Sequence, residues 1–133
     1  MSRLVDTPDV NLHKARILCV DGSPEILFIC RTFLEARGYE VLTASSGAAA
    51  LETLKEHPVD AAITDNEMPG MTGEQLAREM KHVRINMPVL MFSSARPDAL
   101  SSIDYFLDKY YGPLALVEAL QSLVPSRSSF PKQ

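Results

Sequence analysis

The sequence predicts a doubly wound α/β domain, a single five-stranded parallel sheet with helices packed on both faces. Two observations carry this. Short apolar runs such as Ile17-Leu18-Cys19-Val20 and Val89-Leu90-Met91-Phe92 are continuous rather than alternating, the pattern of strands covered on both sides. The segments between the runs mostly repeat their apolar residues at helical spacing and are punctuated by Pro and Gly. The 133 residues suit one core and leave little for a second.

The elements follow in order. After the first strand, Ser23 is placed to cap a helix, Pro24 suits its first position, and Glu25 favours the dipole. Ile26, Ile29, Cys30 and Phe33 mark its inward face, and Gly38 ends it. Val41-Leu42-Thr43-Ala44 is the second strand. An Ala-rich helix runs from about Gly47 to His57 with Leu51 and Leu54 inward, and Pro58 stops it. Ala61-Ala62-Ile63-Thr64 is the third strand, followed after Gly73 by a helix with Leu76, Met80 and Val83 on one face. Pro88 opens the fourth strand, and Tyr105-Phe106-Leu107-Asp108 is the most economical fifth. Leu116, Val117, Leu120 and Val124 line the closing helix.

Residues 1–14 are mixed and polar and are expected to form a flexible N-terminal arm, leaving a domain over 15–124. The 125–133 tail is expected to add no further element, and no output domain is expected after it. A net charge of -4 and a pI near 5.3 argue against nucleic-acid binding through bulk charge. No apolar run approaches a membrane span and no secretory segment opens the chain, so a cytoplasmic protein is expected. Cys19 and Cys30 read as reduced core residues, and His13, His57 and His82 lack metal-site spacing.

Asp65 is the most informative residue. It ends the third strand, and Met68-Pro69-Gly70-Met71-Thr72-Gly73 then turns the chain sharply before a helix. An acid there projects into the crevice where open α/β sheets place ligands. Such a carboxylate can be a metal ligand, a nucleophile, or both.

Over residues 15–124 the chain resembles the receiver domain of two-component response regulators. The resemblance is carried by Ile17-Leu18-Cys19-Val20-Asp21, by Asp65 with its Met68–Gly73 loop, by Pro88 to Ser93, and by Phe106-Leu107-Asp108-Lys109. It implies the flavodoxin-like strand order 2-1-3-4-5, and phosphorylation of Asp65 by a histidine kinase, a phosphotransfer protein or a small phosphodonor. Asp21, Asp65 and the main-chain carbonyl of Glu67 correspond to ligands of Mg²⁺. Ser93 and Lys109 correspond to the groups that bind the phosphoryl oxygens, and Phe106 to an aromatic switch. The physics agrees, since phosphoryl transfer to a carboxylate is mostly positioning and charge neutralisation. Two carboxylates about 4 Å apart repel by roughly 4 kcal/mol at an effective dielectric near 20, so cations are required beside them. The resemblance also implies a partner-binding face with possible homodimer formation, and no enzymatic activity beyond phosphorylation of its own aspartate.

Three features depart from the family pattern. Gly22 stands where a second acid is usual, which predicts weak Mg²⁺ binding, with Glu25 or Glu67 as substitutes. Tyr110 replaces the proline after the lysine; a cis bond there would cost about 2.5–4 kcal/mol, so a trans bond is expected, leaving Lys109 free to aim elsewhere. Between Ser93 and the fifth strand only residues 94–104 remain, the roughly 11 residues that three helical turns alone need, so a shortened fourth helix is expected, a short turn or irregular segment near Pro97 to Ser102. These features support an alternative, a pseudo-receiver that binds proteins without being phosphorylated. An aspartate-nucleophile phosphatase is a third reading, since Glu67 stands two residues after Asp65, but no substrate-capping insertion is visible. No Gly-rich phosphate loop supports a nucleotide or flavin binder.

Overall fold

The computed structural model of the chain describes residues 10–131. Its elements are β1 (Val10–Lys14), β2 (Arg16–Val20), α1 (Pro24–Glu35), β3 (Glu40–Ala44), α2 (Gly47–Glu56) and β4 (Ala61–Thr64). They continue with α3 (Gly73–Val83), β5 (Val89–Ser93), β6 (Tyr105–Asp108), a 3₁₀ turn (Lys109–Tyr111), α4 (Gly112–Leu123) and β7 (Arg127–Pro131). The five expected strands form one parallel sheet in the order β3-β2-β4-β5-β6. Counting only those five, this is 2-1-3-4-5, the order the resemblance implies.

Residues alternate across the sheet, so β2 serves two cores. Ile17 and Cys19 face α1 and α4, packing with Cys30, Leu34, Leu116 and Leu120. Leu18 and Val20 face α2 and α3, packing with Leu54, Leu76 and Met80. Each such aliphatic side chain contributes about 1.5–3 kcal/mol by leaving water. The caps fall where the sequence puts them: Ser23 Oγ accepts from Ile26 N at 3.3 Å, and Thr72 with Gln75 forms a reciprocal capping box on α3. Ile29 is the exception, being 38% exposed while Leu34 is buried. Because α1 carries more apolar residues than one face holds, spacing alone does not decide which of them face solvent.

Two further differences concern connections. Residues 10–14 are not part of a loose arm, and the tail does add an element: β1 pairs antiparallel with β7, Val10 opposite Pro131 and Lys14 opposite Arg127. Both strands are short and of mixed composition, and each finds its partner at the far end of the chain, so a short local pattern does not show that they pair. Residues 1–9 of the expected arm lie outside the described residues.

No helix forms between β5 and β6: residues 94–104 make bends and a turn at 101–102, the short irregular form expected near Pro97 to Ser102. A polar clip fastens the end of that stretch. Asp104 Oδ2 accepts from Lys81 Nζ at 2.7 Å and from Val89 N at 2.8 Å, and Lys81 Nζ also donates to the Met87 carbonyl at 2.9 Å.

Candidate functional site

The parallel order sends β2, β4, β5 and β6 toward one rim of the sheet, and their carboxyl ends deliver Asp21, Asp65, Ser93 and Lys109 to that rim. Asp65 N donates to the Val20 carbonyl at 3.0 Å and Asp21 N to the Ala44 carbonyl at 3.2 Å, so ladder bonds hold both acids at fixed depth. Asp21 is 5% exposed and Asp65 8%. Carboxylates this buried require partners.

Lys109 is the shared partner. Its Nζ lies 2.8 Å from Asp21 Oδ2 and 3.3 Å from Asp65 Oδ2. The other oxygens accept backbone donors: Asp21 Oδ1 takes Ser23 N at 2.9 Å, and Asp65 Oδ1 takes Asn66 N at 2.7 Å. Burial pulls the Lys109 pKa down, but hydrogen bonds and charge from Asp21 and Asp65 together outweigh it and hold the ammonium above the ordinary lysine value. Two carboxylates against one ammonium leave the pocket one negative charge in excess.

Lys109 reaches this position with a trans bond to Tyr110, since no peptide bond is cis among the described residues. The 3₁₀ turn supplies the geometry instead. Asp108 Oδ1 accepts from Tyr110 N at 2.8 Å, and Gly112 leaves the turn at φ 82°, a left-handed value suited to glycine. The substitution of Tyr110 therefore does not re-aim the lysine, and the Tyr110 ring stands in solvent.

The remaining expected residues are placed less tightly. Ser93 is fully buried at the end of β5, and its Oγ accepts from Ala95 N at 3.1 Å, which leaves its O–H proton available. Phe106 is half-buried with the Arg96 guanidinium 4.5 Å above its ring. The Glu67 side chain points to solvent, and Glu25 Oε1 accepts from Ser23 Oγ at 3.0 Å, close to the helix cap. At Gly22 an added Cβ would meet nothing within 4 Å. The buried oxygens of Asp21 and Asp65 and the excess negative charge suit a hard dication. No cluster of three His, Cys, Asp or Glu side chains able to hold a metal occurs among the described residues.

Two residues outside the expected site set, Gly73 and Asn66, shape the support of Asp65. Gly73 N donates to the Asn66 carbonyl at 2.8 Å, and a Cβ on Gly73 would overlap the carbonyl oxygen of Asp65. Asn66 Oδ1 accepts from Glu74 N at 3.2 Å, tying the loop to the first turn of α3. A glycine at the helix start eight residues after the strand-end acid was the available signal.

The family model described as the response regulator receiver domain matches residues 17–121. The response regulator GtcR of Aneurinibacillus migulanus is 32% identical over 112 residues, covering 80% of this chain and 46% of that protein. The transcriptional regulatory protein GlrR of Escherichia coli K12 is 36% identical over 115 residues, covering 81% of this chain and 26% of that protein. The chain thus spans less than half the length of these two relatives. Among solved structures, the response regulator TrrA of Thermotoga maritima, in complex with Mg(2+)-BeF, is 29% identical with a TM-score of 0.78, covering 83% of this chain and 99% of that one. The chemotaxis response regulator CheY4 of Vibrio cholerae is 28% identical with a TM-score of 0.76, covering 84% and 100%.

Proposed function

The chain belongs to the response regulator receiver domain family, and from that membership we propose that it accepts a phosphoryl group on Asp65 from a histidine kinase or phosphotransfer protein in two-component signalling. The observation that supports this most is the convergence of Asp21, Asp65 and Lys109 within 3.3 Å contacts at one buried rim. A carboxylate oxygen of Asp65 attacks the donor phosphorus, an acyl-phosphate P–O bond forms, and the donor's P–N or P–O bond breaks with its electron pair leaving on the donor. Lys109 then shifts from pairing a carboxylate to pairing phosphoryl oxygens, and the Ser93 hydroxyl donates to another of them. Asp21, Asp65 and the Glu67 carbonyl would hold Mg²⁺, which when bound neutralises charge on the transferred group. With Gly22 in place of an acid, that binding is weak.

Four coherent positions favour this reading over a phosphatase, for which Glu67 would have to face Asp65 rather than solvent. The pseudo-receiver remains as a second reading because of the vacant acid position at Gly22. Intact mass after incubation with Mg²⁺ and acetyl phosphate separates them. One added phosphoryl group, absent in Asp65→Asn, is expected. An unmodified chain both with acetyl phosphate and with a histidine-phosphorylated transfer protein would establish the pseudo-receiver instead.

A further inference from the structure

We infer that the domain carries a second ligand site, for a compact anion, at the end of the sheet opposite Asp65. The strands that deliver Asp21 and Asp65 at one rim begin, at the other, beside Arg16 and Asp60. There a cavity of about 290 Å³ opens, with Pro58 and Val59 as its apolar wall and Lys14, Arg16 and Arg84 as its cations. That volume is at the small end for ligand pockets and suits a compact guest.

The charges around this cavity are not balanced. Asp60 Oδ2 is engaged, accepting from Arg16 N at 2.7 Å and lying 3.3 Å from His13 Nε2. Glu40 Oε2 pairs with Arg16 Nη2 at 3.3 Å. Arg84 has only carbonyl acceptors, Leu54 at 3.0 Å and His57 at 3.5 Å, and neither Arg84 nor Lys14 pairs with a carboxylate among the described residues. Arg16 Nε is buried and has no hydrogen-bond partner among the described residues. Two cations without counter-charge therefore share a walled hollow with a third whose donors are incompletely used, and an anion with several acceptor oxygens satisfies all three.

Part of the cavity wall comes from the terminal ribbon. Lys14 and Arg16 precede residue 17, where the match to the receiver family begins. The site is thus built by β1 in addition to the shared fold, and it stands whether or not Asp65 is phosphorylated.

Amide NMR titration of the full chain with sodium phosphate and with sodium succinate tests it, against sodium chloride of equal ionic strength. Saturable shifts are expected around Arg16, Asp60 and Arg84 with at least one of the two anions. Lys14→Gln and Arg84→Gln should each weaken binding about tenfold, the loss of one charge-assisted bond. Asp65→Asn should leave it unchanged, which separates this site from the phosphoacceptor. Shifts that follow ionic strength alone, or binding indifferent to both substitutions, would overturn the inference.

Discussion

Replacing Lys109 by Met tests the electrostatic centre of the domain most directly. At an effective dielectric near 20, an ammonium 2.8 Å and 3.3 Å from two carboxylate oxygens gains about 6 and about 5 kcal/mol of gross attraction. Those oxygens are at most about 6 Å apart by the same contacts, so their mutual repulsion is at least about 3 kcal/mol. Desolvation of the three groups cancels much of the attraction, so the net loss on removing one partner of a buried pair is about 3–5 kcal/mol. Lys109 keeps 19% of its side chain exposed, which places the expectation at the lower end, about 3 kcal/mol. That is a large share of the roughly 5–15 kcal/mol that stabilises a small domain. Urea unfolding followed by circular dichroism is the assay, since the chain has no Trp for fluorescence. The midpoint should fall with the slope unchanged, and Mg²⁺ should recover more stability in the variant than in the parent. A loss below about 0.5 kcal/mol, typical of exposed pairs, would refute the reasoning and show that Lys109 does not neutralise the acids.

Other expectations follow from the same geometry. Gly22→Asp enters open space and restores a third carboxylate, so Mg²⁺ affinity measured by calorimetry should rise about tenfold or more, as two charges attracting one about 6 Å away predict even at the dielectric of water. Gly73→Ala forces a methyl group against the Asp65 carbonyl and should lower stability by about 3 kcal/mol in the same urea assay. Burial pushes the Cys30 thiol up to about 12, with Asp21 adding to it, and burial likewise raises Cys19. Unfolded thiols ionise near about 8.5, so stability is unaffected below that pH and falls above it, by up to about 1.4 kcal/mol per pH unit for each thiol. Alkylation at neutral pH should accordingly require unfolding.

The sheet was legible because four of its strands are continuous apolar runs, a signal that needs no partner to be seen. Asp65 was legible for a related reason: the Met68–Gly73 turn fixes where the strand ends and so where the acid points. What escaped detection depends on contacts distant in sequence. The β1–β7 ribbon joins strands of mixed composition whose partners lie more than a hundred residues away, and which of the many apolar residues of α1 turns outward, as Ile29 does, depends on the face that packs on the core. Lys109 shows the converse. The absence of a proline at residue 110 suggested a different aim, yet the Asp108 cap and Gly112 rebuild the turn by other means.

The ribbon makes residues 10–131 almost a closed ring. Val10 and Pro131 face one another across a strand pair, so a few residues of linker would join them, and residues 94–104 offer a surface stretch without helix or strand in which to open the ring. A chain reconnected in that way keeps every strand neighbour of the sheet and begins next to the rim that holds Ser93, which would put a fused reporter beside Asp65.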